Sequence, residues 1–145
     1  MRGCIGYNGQ GSLVLIDGNM NGEKYAQILR ENIPRTLRFL NIRLAYILED
    51  HAPTHQTQRV KNMKEELGLG DLPDYPANSL NLNPIEGIYW KVRVQARNPS
   101  SLTQLQMYAF DELRKLNVNT LRLYIFNMPK RLQQVYNRKG GHTMY

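Results

Sequence analysis

One cysteine, one tryptophan and three phenylalanines are few for a chain of 145 residues. With Cys4 alone there is no internal disulfide, and a lone thiol suits a reducing compartment. No apolar run approaches the ~20 residues that a membrane span requires. The stretch Met1-Arg-Gly-Cys-Ile-Gly-Tyr-Asn-Gly9 lacks the apolar core of a signal peptide, so the expectation is a chain that is not secreted. Acids are also scarce: 12 Asp and Glu face 19 Lys and Arg, giving a net charge of +7 and a pI near 9.7. That balance favours polyanionic partners, nucleic acid first and an anionic membrane surface second. Repeats and low-complexity tracts are missing as well.

What is present reads as one ordinary domain. Hydrophobic residues make up 41% and charged residues 21%, a balance that supports a packed core and not a disordered chain. Gly6 to Gly11 reads as a hairpin loop, and the apolar segment Leu13–Ile16 ends in the turn residues Asp17-Gly18-Asn19. Tyr25, Ile28, Leu29 and Ile33 recur at helical spacing, and Pro34 is expected to break or kink that helix. Ile42 to Leu48 predicts a buried strand. Val60, Met63 and Leu67 mark a second helix closed by Gly68, and a short strand is expected within Leu69–Tyr75. A third helix is expected from Asn83-Pro84, with Ile85, Ile88, Tyr89 and Val92 as its buried stripe. Helical pieces follow from Ser101, with Leu102, Leu105, Leu113, Leu121, Ile125 and Val135 as core candidates and Pro129 separating the last two. The order of elements is that of an α/β chain.

Two clusters of polar residues carry the chemistry. The first, Glu49-Asp50-His51-Ala-Pro-Thr-His55, closes the predicted strand of residues 42–48. His51 and His55 are four apart, as zinc ligands on a helix can be. However, Pro53 disfavours a continuous helix through both, and no glutamate follows His51 as a zinc protease requires. The second is Asn78-Ser-Leu-Asn-Leu-Asn-Pro-Ile-Glu86. There Asn83 fits an N-cap, Pro84 the first helical position and Glu86 a capping-box acid. Glu86, Trp90, Arg93 and Arg97 share one helical side, so an acid leads into a basic row. This suits a carboxylate on a cation beside arginines on phosphates, although spacing alone favours a solvated face. Lys91, Arg93 and Arg97 form one candidate nucleic-acid patch, and Lys130 and Arg131, with Arg138 and Lys139, form another.

Glu-Asp-His-Ala-Pro-Thr-His resembles the pattern DNAPxH, and Ser-Leu-Asn-Leu-Asn-Pro-Ile-Glu resembles SPDLNPIE. Both patterns belong to the DDE transposases of the Tc/mariner superfamily, whose catalytic domain is ribonuclease H-like. The resemblance runs in order through nearly the whole chain, from Gly3-Cys-Ile and Leu13–Asn19 to Met128–Gln133 and Lys139–Tyr145. It implies one catalytic domain over residues 1–145, with a ribonuclease H-like part over about residues 1–97 and a helical C-terminal part over about 98–145. It also implies a mixed sheet whose first, central strand is not among these residues. That strand carries the first catalytic aspartate of the family. Asp17 matches a turn position and is not promoted in its place.

By the same resemblance, Asp50 and Glu86 are the second and third acids of the triad and the ligands of two Mg²⁺ or Mn²⁺ ions. His55 and Asn83 support them, Glu49 is a strand-end charge outside the motif, and His51 departs from the family's asparagine. Leu80 and Asn81 also depart, standing where the pattern has proline and aspartate. The implied activity is metal-dependent DNA cleavage and strand transfer, impaired here because one acid is unmatched. A non-catalytic nucleic-acid-binding protein derived from a transposon is the alternative. The implied partners are DNA and another transposase chain, with neither a membrane nor a small-molecule cofactor. The implied compartment is the nucleus in a eukaryote, or else the cytoplasm. A sheet without its central strand has free edges, so the isolated chain is expected to be marginally stable.

Overall fold

A computed structural model describes residues 2–49, 52–73, 75, 82–87 and 90–138, with only the backbone described at 86, 87, 90 and 91. Two compact units result: Met1–Cys4 with Gly11–Leu80, and Ile5–Gln10 with Asn81–Tyr145.

Strand β1 (Arg2–Gly6) and strand β2 (Gly9–Val14) pair as a hairpin across Tyr7-Asn8, a shorter loop than glycine content alone suggests; its base belongs to the first unit and its tip, Ile5–Gln10, to the second. In the first unit helix α1 (Gly22–Phe39) follows, its first turn closed by Asn21, whose side chain accepts the Lys24 N–H at 2.8 Å. Pro34 lies inside α1 and does not end it. The proline ring removes one donor, but helical hydrogen bonds on both sides and the buried face of Tyr25, Ala26, Leu29 and Thr36 carry the helix through.

Strand β3 (Ala45–Ile47) is shorter and more exposed than the apolar run implied: Tyr46 keeps 68% of its surface in solvent. β3 pairs in parallel with strand β4 (Leu69–Asp71), and Tyr46 stands opposite Gly70. A Cβ at Gly70 would lie 2.8 Å from the Tyr46 ring, so the missing side chain lets the ring lie on the neighbouring strand. Helix α2 (Gln58–Glu66) joins the two strands and ends at Leu67, with Gly68 at φ +65° in the left-handed position predicted for it. The two hydrogen-bonded pairs, β1–β2 and β3–β4, are separate sheets among the described residues.

The core of this unit is a helix-on-helix contact. Tyr25, Ala26 and Leu29 of α1 meet Val60 and Met63 of α2, and Met20, Ile33, Ile47 and Leu67 flank them. Each such side chain contributes roughly 1.5–3 kcal/mol when fully buried. The two helices approach closely at Gly22, where a Cβ would lie 2.6 Å from Cγ2 and 2.9 Å from Cβ of Thr57. Gly22→Ala is therefore expected to destabilise the chain by about 1–3 kcal/mol through overpacking, despite alanine's better helix propensity. A urea titration reads this as a lower midpoint at unchanged slope.

In the second unit, the expected third helix is divided. Pro84–Gly87 forms a 3-10 turn, and helix α3 spans Trp90–Ala96. Val94 is buried at 3% while Val92 is 57% exposed, which corrects the predicted stripe because the register starts anew at Trp90. Ile88 and Tyr89 lie outside the described residues. Helices α4 (Leu102–Arg114), α5 (Val118–Phe126) and α6 (Met128–Asn137) follow. Leu121 is fully buried as expected, whereas Leu102, in the first turn of α4, is exposed. The break between α5 and α6 falls at Asn127, with Pro129 in the first turn of α6, where a missing N–H costs nothing. Among the described residues, no helix is long and apolar enough to cross a membrane.

Candidate functional site

The end of β3 holds a buried polar network. Glu49, two residues beyond the strand, is 8% exposed, and the Lys64 side chain of α2 ion-pairs with it. The Tyr25 hydroxyl of α1 donates to Oε2 of Glu49, and Nδ1 of His55 lies 3.4 Å from the same oxygen. His55 closes the 3-10 turn Pro53–His55, is 1% exposed, and packs its ring 4.5 Å from that of Tyr25. Lys64 also reaches Asp71, the last residue of β4, at 2.6 Å. Burial works against the Lys64 charge, but the hydrogen bonds and charges of Asp71 and Glu49 outweigh it and hold the ammonium above the usual lysine range.

His55 thus sits inside the structure, against Tyr25 and Glu49. Glu49 is the correction: it is a buried hub linking α1, α2 and, through Lys64, β4. Its partners are 24 and 15 positions away, too far for local pattern to reveal. One signal was available. Lys64 falls four residues after Val60 and beside Met63, on the buried face of its helix, where an unpartnered lysine would be costly. Asp50 and His51 lie outside the described residues.

The second motif ends in the Pro84–Gly87 turn. Asn83 closes the turn, its Oδ1 accepting the Ile85 N–H at 3.2 Å, and the neighbouring Leu82 is 2% exposed. The turn packs against α5 in the same unit. Backbone Glu86 is therefore part of an anchored turn, not a free loop. Its side chain, like that of Lys91, lies outside what is described. Among the described residues no group of three or more His, Cys, Asp or Glu gathers as a metal site.

The basic residues divide into two kinds. Arg93 and Lys130 are exposed. Arg97 instead bonds Asp111 and Glu112 of α4, each at 3.3 Å, and its guanidinium lies 3.8 Å over the Tyr108 ring. Arg131 is 1% exposed and lies over Tyr124 of α5, so it does not belong to a surface patch. The reason is helical register: positions 128, 131 and 135 form the inner face of α6. Glu112 is held below the usual glutamate range, chiefly by the Lys115 hydrogen bond, against some desolvation and helped by Lys115, Arg97 and Arg93. A lowered carboxylate adds stability above the ordinary glutamate range and loses it as pH falls through the folded value.

No protein-family model matches the chain. It is 28% identical over 148 residues to the transposase of the transposable element Tcb2 from Caenorhabditis briggsae, covering 99% of this chain and 53% of that protein. The Tcb1 transposase of the same organism is 26% identical over 146 residues, with the same coverage. Among solved structures, the catalytic domain of the Mos1 mariner transposase superposes with a TM-score of 0.78 at 19% identity, over 94% of this chain and 72% of that one. The Mos1 transposase paired-end complex with the left transposon end gives 0.81 at 19% identity, over 95% of this chain and 42% of that one. The chain spans about half the length of the relatives it matches. The chain is thus similar in sequence to Tc/mariner transposases, and its fold is that of the ribonuclease H-like catalytic domain of the Mos1 transposase.

Proposed function

We propose that this chain is a transposase-derived catalytic segment in which Asp50 and Glu86 bind Mg²⁺ or Mn²⁺ for work on DNA. The single observation that carries the reading is Asn83-Pro84-Ile85-Glu86, which matches the family motif within a similarity extending over 99% of the chain. Hard carboxylate oxygens suit these cations, and the described residues gather no nitrogen- or sulfur-rich cluster to compete for them. When bound, such ions polarise a phosphodiester and activate the attacking oxygen. The chain's own contribution is to hold the acids: Asn83 caps the turn bearing Glu86, and Glu49 and His55 are buried on either side of Asp50 in sequence. A solved Mos1 mariner paired-end complex is one with Mn, and we carry that metal class to this chain by similarity.

Metal uptake and DNA affinity are the direct tests. Mn²⁺ titrated into the parent chain should bind, and Glu86→Gln should weaken that affinity at least about tenfold; equal affinity rejects the assignment. DNA affinity should fall steeply with added salt, since phosphate contacts release counterions. Arg93→Ala and Lys130→Ala should each flatten that salt slope by about one unit, and Arg97→Ala, already paired with two acids, by much less. Salt-independent affinity would reject nucleic-acid binding in either its catalytic or its non-catalytic form.

A further inference from the structure

We infer that the end of α1 and the start of β3 form a binding surface for a nucleic-acid strand with unpaired bases. Arg35, Arg38 and Arg43 hold its phosphates, and Phe39 and Tyr46 stack on its bases. The surface lies wholly in the first unit. It extends the proposed nucleic-acid binding to a new place, and uses neither the motif acids nor the basic residues of α3 and α6.

Between Glu31 and Glu49 the chain has no acid, and Arg35, Arg38 and Arg43 are its only charges there. All three are exposed. Other exposed arginines of this unit do find carboxylates: Arg30 pairs with Glu66 and Arg59 with Glu23, each at 3.3 Å. Among the described residues Arg35, Arg38 and Arg43 pair with no acid. Glu31, one turn before Arg35, accepts instead from Gln27 at 2.9 Å. Arg38 donates through Nε to the Pro34 carbonyl at 3.5 Å, which leaves its two terminal nitrogens for an anion.

The backbone brings these groups together. Arg35, Arg38 and Phe39 are three and four positions apart, so they share a side of α1 turned from the buried Leu29 and Thr36. The helix then closes through Asn41, at φ +53°. The Ile42 N–H donates to the Leu37 carbonyl at 2.9 Å, and the Asn41 N–H to the Arg38 carbonyl at 3.1 Å. These bonds turn the chain back beside the last helical turn, so that Arg43 follows a residue tied to Leu37. They also occupy two end carbonyls that would otherwise repel a phosphate. Tyr46 comes three residues after Arg43, at most about 11 Å along the chain.

Three guanidiniums alone would suit any polyanion, and the aromatics narrow the choice. Phe39 is 78% exposed, and Tyr46, resting on Gly70, is also mostly exposed. Bases within a duplex stack on one another, whereas unpaired bases have free faces, and arginines beside exposed rings suit such a strand. A second copy of this chain fits less well, because an isologous contact would set the three arginines against themselves.

The test is fluorescence anisotropy of the whole chain with a labelled oligothymidine of about 16 nucleotides, beside a duplex of equal length. Phe39→Leu and Tyr46→Leu keep an apolar surface but lose the ring. Each should weaken affinity for the single strand by about fivefold or more and leave duplex affinity within about twofold. Phe39→Trp should bind the strand at least as tightly as the parent. The triple variant Arg35→Gln/Arg38→Gln/Arg43→Gln should flatten the salt slope for the strand by about two units, at ~0.7 for each phosphate contact. These positions are exposed, so every variant should melt within a few degrees of the parent. Leucine variants that bind the strand like the parent, or that weaken strand and duplex alike, would overturn the inference, as would an unchanged salt slope in the triple variant. If strand binding is untouched while Phe39→Leu breaks up a dimer in sedimentation, the surface serves a second copy and the inference falls. It falls equally if the triple variant loses only binding to phosphatidylserine vesicles. Failure of the proposed function looks different. A parent that takes up no Mn²⁺, or Glu86→Gln binding it like the parent, rejects the metal assignment and leaves this surface standing, whereas a parent that binds neither strand nor duplex rejects both.

Discussion

Replacing Lys64 by alanine is expected to destabilise the chain by about 3–5 kcal/mol, because it leaves the Glu49 carboxylate buried without its cation. For a domain of this size that corresponds to a fall in Tm of very roughly 6–20 °C. Equilibrium urea unfolding would show it as a large drop in midpoint at unchanged slope. The comparison that gives the number meaning is Arg30→Ala. Arg30 and Glu66 also pair at 3.3 Å, but both side chains are more than half exposed, so that loss should stay within about 1 kcal/mol. If the two variants proved equally mild, Glu49 would not depend on Lys64. The pH dependence follows from the same pair. The folded Lys64 titrates above the usual lysine range, so its stabilising contribution is complete through neutral pH. That contribution is lost as pH rises through the raised value, and Lys64→Met should lack the corresponding alkaline loss.

This network marks the limit of what the sequence could disclose. Tyr25, Leu29, Val60 and Met63 are readable as core because each repeats at helical spacing, and Gly68 is readable because a helix end needs a left-handed residue. The apolar run before Glu49 looked like a buried strand for the same reason, yet periodicity cannot tell how many neighbours a strand will have. Among the described residues β3 pairs with β4 alone, and it is three residues long with Tyr46 turned to solvent. Charged residues whose partners are distant in sequence carry no local sign of burial. By local pattern Glu49 reads as a strand-end charge and Arg131 as part of a surface patch, but both are buried against groups on other helices. The two acids of the motifs were legible only through resemblance, since local pattern makes Glu86 a cap and Asp50 the close of a strand.

The seat of Glu86 yields the other large effect. Leu121 is the one residue of α5 recorded as buried, with no exposed surface, and α5 is the helix against which the Pro84–Gly87 turn packs. Leu121→Ala removes three carbons from a site that neighbouring helices are not free to fill, so a cost of about 2–5 kcal/mol is expected. Exposed Leu123, two positions on, supplies the contrast: Leu123→Ala should cost no more than about 0.5 kcal/mol. The functional consequence separates the two motifs. If the turn holds Glu86 by leaning on α5, Leu121→Ala should weaken Mn²⁺ binding even at temperatures where the chain stays folded. The Tyr25–Glu49–Lys64 network, formed wholly within the other unit, should be untouched, with Tyr25 and Glu49 remaining shielded. Full Mn²⁺ affinity in a folded Leu121→Ala chain would mean that Asn83 and the turn itself suffice to hold the acid, and that α5 serves only the core.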